Sequence, residues 1–441
     1  MRQVSRVLFT FMIISVWLSP ATIRAEDMRA ELQRAFDDVL AISLGSSPGQ
    51  HGNHFKPDNV ATSGRIISAL TSFVGANVSS FPLSSTATGL TFDFSGGVPV
   101  PVTTSAGPVF AERATTIGRG KFNFGGNLSY LNLARIRGVA TEDVEFNFVH
   151  QDVAESGLGD IPFEYDFITL DMNLDMDAVV AAAYATYGLT ERIDLGVAIP
   201  ITSVSMKATP HARMTSYTYA SSGNAQHFFG GTTDAPNLEY DAPEISASSA
   251  GIGDIALRAK GNFYRGQRAD LGALIEVRLP TGDEDKFLGA GSIAYKFGLI
   301  SSGHLGAINP HANLSYEVRE SDIDRDEIQL ILGYDQKVTD NLTLAAEWMG
   351  GYEIGPEIDA LQFGDATAMA PMYEGVPTTP TQRVWPTNIP GYSADNIIDA
   401  SFGIKYTPRP NMLLVANVIL PVNNGGMRSD FIPSVGIEIQ M

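Results

Sequence analysis

The sequence predicts an all-β transmembrane β-barrel of about twelve antiparallel strands, with an N-terminal α-helical and loop segment that acts as a plug or a periplasmic cap. Three observations favour this fold class. Apolar and polar residues alternate in about twelve segments, each near the roughly 10 residues that a tilted membrane strand needs. The links between these segments are alternately tight and variable in length. No apolar stretch after residue 25 is long enough to span a bilayer as a helix.

The N-terminus has the pattern of a secretory signal peptide. Arg2 and Arg6 precede an apolar run over residues 7–18, and the small residue Ala25 offers a cleavage site. The alternative is a membrane anchor, but the run is short for the roughly 20 residues that a spanning helix needs. We therefore predict that residues 1–25 are a signal peptide and that the chain is exported.

Composition narrows the possible functions. The chain has 441 residues, a formal net charge of −20 and no cysteine. Such a charge argues against nucleic acid as a partner, because phosphates require a basic surface. It suits a protein among divalent cations and lipopolysaccharide, although many soluble secreted proteins are equally acidic. The absence of cysteine excludes disulfides, thiol catalysis and cysteine-ligated metals.

Residues 26–115 differ in pattern from the rest of the chain. Apolar residues recur at helical spacing from Met28 to Leu40, and Gly45 is placed to end that helix. A stretch rich in Gly, Ser, Pro and Thr follows, so this segment has little core of its own. We predict that residues 26–115 form the plug or cap and that residues 116–441 form the barrel.

Link lengths favour the barrel over other all-β folds. The links at 189–192, 265–268 and 338–341 are tight, and those after the first, third and ninth strands are roughly 30 to 40 residues long. Short turns on one rim and longer loops on the other are typical of outer-membrane barrels. A soluble β-sandwich or propeller is the alternative, but no repeat of blade length occurs.

The stretch from Ile168 to Thr190 alternates strictly in its first half. Asp171, Asp175 and Asp177 fall on one parity, and leucines and methionines fall on the other. We predict one strand of roughly 20 residues, longer than the bilayer needs. Its apolar face is expected to contact lipid, and its aspartates are expected to face the interior or a solvated extracellular collar.

Charged residues also occupy the polar parity of three successive strands. Arg258 and Lys260 lie on the first, Glu276 and Arg278 on the second, and Lys296 on the third. We predict a cross-strand charge ladder that lines the lumen together with Asp171, Asp175 and Asp177. The ladder either screens solutes at a constriction or simply fills and stiffens a narrow barrel, and the sequence leaves both open.

No motif predicts an enzyme. The chain has no G-x-S-x-G sequence, and no serine and histidine are paired by pattern, which leaves an outer-membrane lipid hydrolase as a minor alternative. His51 and His54 have a conceivable metal spacing without an evident third ligand, so we predict a loop or plug contact for them. We expect no catalytic, cofactor-binding or metal-binding residues.

Four sequence blocks occur in order along the barrel region: GPVFAERATTIGRGKFNFG (107–125), YGLTERIDLGVAIPI (187–201), GIGDIALRAKGNFY (251–264), and LIEVRLPTGDED (274–285) leading to LGAGS (288–292). This series resembles the outer-membrane family labelled as a MetA-pathway of phenol degradation, which is distantly related to long-chain fatty acid transporters. The resemblance covers roughly residues 118–441. It implies a barrel that passes small apolar or aromatic molecules into the periplasm.

These observations predict an outer-membrane channel for passive uptake of small hydrophobic or aromatic compounds. The expected partners are outer-membrane lipid and lipopolysaccharide, the barrel assembly machinery and a small apolar solute, without a cofactor. Aromatic loop residues such as Phe228 and Trp385 are expected to collect the solute. The alternative is a structural or adhesive barrel that transports nothing.

Overall fold

The computed structural model describes residues 27–40, 54–55, 64–65, 67–71, 73–75, 92–93, 100–101, 105–152, 162–321, 324–357, 367–369, 372–373, 376–377, 382–392 and 394–441. The predicted signal peptide and His51 lie outside the described residues. Within the described ranges, no helix combines the length and the apolarity that crossing a lipid bilayer requires.

Twelve antiparallel strands close into a barrel, which confirms the predicted fold class and strand number. The strands are β1 Phe122–Asn132, β2 Leu174–Gly188, β3 Ile193–Ala208, β4 Ile255–Arg265, β5 Ala269–Leu279, β6 Ala294–Gly303, β7 Ile308–Arg319, β8 Asp326–Lys337, β9 Leu342–Ile354, β10 Ile397–Arg409, β11 Met412–Pro421 and β12 Ile432–Gln440. The barrel closes where β12 pairs with β1. A further strand, Ile245–Ile252, pairs with the end of β3 and leads into β4.

The two rims differ as the link lengths predict. The turns after β2, β4, β6, β8 and β10 contain only a few residues each, whereas the links after β1, β3 and β9 are long. Short turns are periplasmic and long loops extracellular in outer-membrane barrels. The rim at the turns is called the short-turn rim below, and the opposite one the long-loop rim.

The outer face of the barrel is apolar. Leu257 on β4, Ile275 on β5, Phe297 on β6, and Phe402 and Ile404 on β10 are all about half exposed. Ile275 lies directly opposite Phe297 in the β5–β6 register, so their side chains share one face. An exposed apolar surface on a closed barrel suits lipid, which is the outer-membrane location that the sequence predicts.

Beyond the long-loop rim, the long loops form a second structure that we call the collar. Its sheet contains Glu145–Val149, Phe167–Asp171, His211–Thr215 and Glu239–Asp241. Helix α2, Tyr217–Ser222, follows the third of these strands and begins at Ser216, whose side chain accepts the N–H of Tyr219.

The predicted single strand over residues 168–190 is wrong in one respect. It divides into the collar strand Phe167–Asp171 and the barrel strand β2, with a break between them. Asn173 lies at this break with a φ of 43°, in the left-handed region. The break lets the first half pair with the collar strands instead of continuing in the barrel wall.

The predicted N-terminal helix is present as α1, Met28–Leu40. Its buried residues Met28, Leu32 and Phe36 join a core that includes residues of the collar sheet. The ring centroids of Phe36 and Phe146 lie 5.3 Å apart. The helix also contacts the strand Ile245–Ile252, so it lies at the long-loop end of the barrel.

The remaining elements are short. They are the pairs Phe92–Asp93 with Val100–Pro101, Gly230–Gly231 with Pro236–Asn237, Thr367–Met369 with Gln382–Val384, and Met372–Tyr373 with Val376–Pro377; the strands Arg135–Ile136, Val139–Ala140 and Met427–Arg428; and the 3₁₀ turns Thr141–Asp143, Pro162–Tyr165 and Glu284–Lys286.

Candidate functional site

Residues 105–117 cross the barrel lumen without regular secondary structure, and we call them the lumen strap. Their backbone groups are buried and must find partners inside the barrel. Glu347, which points inward from β9, accepts backbone N–H groups from Val109 at 2.9 Å, Phe110 at 2.9 Å and Ala111 at 3.2 Å. A wall carboxylate therefore replaces the hydrogen bonds that a helix or strand would supply.

One end of the lumen strap is held on β7 and β8. Ser105 donates its hydroxyl hydrogen to Asp335, and Asn309 donates to both residues at 2.9 and 2.8 Å. Arg113 folds back to donate to the Ser105 hydroxyl at 2.6 Å and lies 3.6 Å from Asp335. Charge and hydrogen bonding thus fix this end near the short-turn rim.

The other end is held on β3 and the turn that precedes it. The N–H of Ile117 donates to Asp194 at 3.1 Å, and the Thr116 hydroxyl donates to the carbonyl of Glu191 at 2.8 Å. Between the two ends, Asn262 donates to the carbonyl of Ala114 at 2.9 Å. The lumen strap therefore reaches from one wall of the barrel to the opposite wall.

The predicted charge ladder is present on β4, β5 and β6, and it extends further. Strand register places Arg258 opposite Glu276, Glu276 opposite Lys296, and Lys296 opposite Glu317. Lys296 lies 2.9 Å from Glu317, and Arg278 lies 3.0 Å from Glu276. The direct cross-strand contact of opposite charges makes a continuous row on the lumen wall. We call this the charge row.

Glu112 connects the lumen strap to the charge row. Its carboxylate lies 3.6 Å from Arg258 and 3.4 Å from Lys260. All three side chains are nearly fully buried, so removing one would leave another charge without its partner in a dry setting. The structure thus places Arg258, Lys260, Glu276, Arg278 and Lys296 together around Glu112 and the lumen wall.

Sequence reasoning missed three members of this network: Glu112, Glu317 and Arg319. Arg319 lies 2.8 Å from Glu317. Glu317 and Arg319 could have been found by extending the same parity to the strand after Lys296, because both continue the alternation there. Glu112 gave no signal, since it lies on a segment without periodicity.

Of the two positions that the sequence left open for Asp171, Asp175 and Asp177, the lumen wall is wrong and the solvated collar is where they lie. Asp175 is exposed and the other two are half-buried, whereas Met176 between them is 1% exposed. The aspartates therefore lie on the outer face of the collar and the methionine lies in its core. Asp177 accepts a hydrogen bond from Asn132 at 3.1 Å, and Asp171 lies 3.3 Å from Arg213.

A cavity of about 220 Å³ lies between the lumen strap and the long-loop rim. Phe110 and Glu112 of the lumen strap contribute to its lining, and the charge row forms part of its wall. The remaining lining is mixed. Its apolar part includes Phe73, Ile331, Met349, Ile419 and Ile432, and a second charged part includes Glu327, Glu353, Asp395, Asp399 and Arg428. A small molecule in this cavity would contact both apolar and charged side chains.

The loop aromatics that were expected to collect solute are not equivalent. Trp385 is 56% exposed, whereas Phe228 is buried at 5% exposure. Trp385 alone of these two can meet a solute at the surface.

The fold and lumen define an outer-membrane type of β-barrel whose interior is crossed by its own N-terminal segment. Residues 168–364 match the family model described as "Putative MetA-pathway of phenol degradation", which confirms the predicted resemblance over that part of the chain. No curated protein matches the chain.

Several solved barrels are similar in structure. An outer membrane channel from Pseudomonas putida F1 has 11% identity and a TM-score of 0.40, over 74% of this chain and 98% of that one. A Pseudomonas aeruginosa FadL homologue has 12% identity and a TM-score of 0.31, over 84% and 96%. The P. putida toluene transporter TodX has 8% identity and a TM-score of 0.29, over 73% and 88%. At TM-scores below 0.5, these likenesses add nothing to what the strand pairing shows.

Proposed function

We propose that the protein is an outer-membrane channel for passive uptake of small hydrophobic or aromatic compounds. The observation that carries this proposal is the cavity of about 220 Å³ above the lumen strap, whose lining combines apolar side chains such as Phe110, Ile331 and Met349 with charged ones. An apolar protein cavity of about 150 Å³ can bind benzene, so this cavity has room for one substituted aromatic ring. Residues 168–364 match a family model whose description refers to phenol degradation, and phenol is a solute of this kind.

The lumen strap is the gate in this proposal. It has no helical or strand hydrogen bonds of its own, and its backbone is held by side chains such as Glu347 and Asp194. Water can satisfy the same groups, so displacing the strap exchanges hydrogen bonds rather than abolishing them. The residues predicted as a plug, 26–115, contain most of this gate, and Thr116 and Ile117 complete it. Movement requires no nucleotide, and transport follows the solute gradient.

Three further predictions concern the partners of the protein and its lack of enzymatic activity. Lipopolysaccharide as a contact of the acidic loops and the assembly machinery as a partner stay predictions, as does the absence of enzymatic activity. The exposed apolar band on the outer face supports a lipid environment.

A reversible disulfide tests the gate because the chain contains no cysteine. A Cβ placed on Gly403 of β10 would overlap a methyl group of Val109 of the lumen strap, so cysteines at both positions would bring their side chains together. The double variant Val109→Cys with Gly403→Cys should therefore link the strap to the wall. We expect liposomes containing the oxidised variant to lose uptake of a single-ring aromatic such as toluene, and a reducing agent to restore it.

The double variant kept reduced and the single variant Val109→Cys under the same oxidant are the controls, because Gly403→Cys beside an intact Val109 would clash. Both should transport like the parent chain. A sugar serves as the solute that should not pass in any state. Equal flux in the oxidised and reduced double variant would contradict the gate. No flux of any aromatic solute through the parent chain would contradict the channel itself and favour a structural or adhesive barrel.

A further inference from the structure

Three histidines from distant parts of the chain meet inside the collar. His54 belongs to the N-terminal segment, His150 follows the strand Glu145–Val149, and His227 follows helix α2. One ring nitrogen from each lies within 4.8 Å of the others. His54 Nδ1 and His150 Nε2 are 2.8 Å apart. The sequence alone offered only His54 and His51 as neighbours, and the further histidines come from loops more than ninety residues away.

Hydrogen bonds fix which nitrogens of two rings carry protons. His150 Nδ1 lies 2.6 Å from the carbonyl oxygen of Gln151, which only accepts, so Nδ1 is the donor. His227 Nδ1 lies 2.7 Å from the carboxylate of Asp166 and donates to it. In the neutral rings, Nε2 of each therefore carries the lone pair that a metal ligand needs.

Asp166 is arranged as the carboxylate behind a metal-binding histidine. It is fully buried and also accepts the backbone N–H of Tyr217 at 2.7 Å. A carboxylate that holds the second nitrogen of a ligating histidine orients the ring and raises its basicity. It also supplies a buried negative charge that a cation would offset.

We propose that His54, His150 and His227 bind a divalent transition-metal ion, with Zn²⁺ the first candidate. Imidazole ligands select such ions over Ca²⁺ and Mg²⁺, which prefer oxygen. Tetrahedral zinc with bonds of about 2.0–2.1 Å requires ligand nitrogens roughly 3.3 Å apart. The separations here, from 2.8 Å to at most 4.8 Å, bracket that value, so modest side-chain rotation suffices.

The surroundings suit a bound ion. His150 and His227 are 1% and 0% exposed, and Phe55 and Phe163 pack their rings against the histidines at centroid distances of 5.1 to 6.1 Å. His54 is half-buried, which leaves an entry path from outside. Three protein ligands leave a fourth position for water or another ligand. Because the ligands come from three segments, the ion would fasten the N-terminal segment to the collar.

The test uses the full chain folded in detergent after treatment with a chelator. Titration with Zn²⁺ by calorimetry should show saturable binding near one ion per chain, and Co²⁺ should give the visible absorption of a tetrahedral nitrogen-ligated site. Ca²⁺ and Mg²⁺ at the same concentration should not compete. His150→Ala and His227→Ala should each abolish this binding. Asp166→Asn, which keeps all three ligands, should weaken it by about 10- to 100-fold.

His211→Ala is the matched control, because His211 is another collar histidine paired with a carboxylate, Asp241, at 2.7 Å. It should leave binding unchanged. Heat-modifiable gel mobility verifies that each variant has a folded barrel. The proposal is overturned if the parent chain shows no saturable Zn²⁺ binding, or if folded His150→Ala and His227→Ala bind as the parent does. Since flux through the lumen is not measured, the result is independent of the proposed channel.

Discussion

The membrane-embedded part of the barrel and the collar above it have opposite polarity. In the embedded part, Ile275 faces outward and Glu276 faces inward. In the collar end of β2, Asp175 faces outward and Met176 faces inward. The same alternation of side chains serves both regions, so the pattern by itself does not say which face is dry. The surroundings of each face, lipid, water or packed protein, decide which face is apolar.

The difference arises from the two solvents. Lipid surrounds the embedded part, so apolar side chains point outward and charges pair across the narrow lumen. Water surrounds the collar, and the helix α1 fills its inside with Met28, Leu32 and Phe36. Met206 of β3 lies opposite Met176 and belongs to the same core. Strand β2 therefore changes along its length. At its collar end polar side chains face outward, as in a soluble protein, and in the embedded part apolar side chains face outward toward lipid.

The largest effect should come from placing a charge inside the collar. Met176→Asp removes a buried side chain and buries a carboxylate without a partner, so we expect a loss of about 5 kcal/mol or more. The collar should then become sensitive to protease while the barrel keeps its heat-modifiable mobility. Asp175→Met, on the exposed neighbour, should change stability by about 0.5 kcal/mol at most. Equal tolerance of the two variants would reverse the assignment of the faces.

The next effect should come from removing a charge inside the barrel. Glu276→Gln leaves Arg258, Arg278 and Lys296 with excess positive charge, and we expect a loss of about 3–5 kcal/mol in urea unfolding. Adding Arg258→Gln restores the balance and should cost less than the sum of the two single variants. Strict additivity would mean that the charge row is not a coupled network.

A charge on the lipid face should have a smaller effect that depends on depth. Ile275→Arg, near the middle of β5, should destabilise the barrel by about 2–4 kcal/mol in lipid. Leu305→Arg, in the short turn between β6 and β7, should cost about 0–1 kcal/mol. Unfolding in lipid vesicles measures both, and similar losses at the two positions would argue against a membrane boundary between them.

Apart from the control variants, the smallest effect should come from Asp177→Asn on the outer face of the collar. The amide can replace the acceptor that Asn132 uses, and the site is half-exposed, so we expect a change below about 1 kcal/mol in the urea midpoint. A loss above about 3 kcal/mol would instead indicate that this aspartate lies inside the lumen, the other position that the sequence left open.

Much of the barrel could be predicted because its strands and turns follow from local sequence patterns. The tight turns after β2, β4 and β8 lie where the sequence places them, and five predicted charges meet on the lumen wall. Met172, Leu174 and Met176 were expected on the lipid face but are buried, because alternation defines two faces without showing which one is dry. Glu112 and the histidine cluster could not be predicted, because their partners lie 148 and 96 residues away.

The sequence by itself indicated about twelve strands, the places of their tight turns and the division of each strand into two faces, because these follow from short-range alternation and link length. Only the tertiary structure decided where the N-terminal segment lies. Its helix α1 packs apolar side chains inside the collar. Its lumen strap occupies the inside of the barrel, where polar side chains of the wall bind its backbone. That placement depends on contacts across hundreds of residues, which no local pattern encodes.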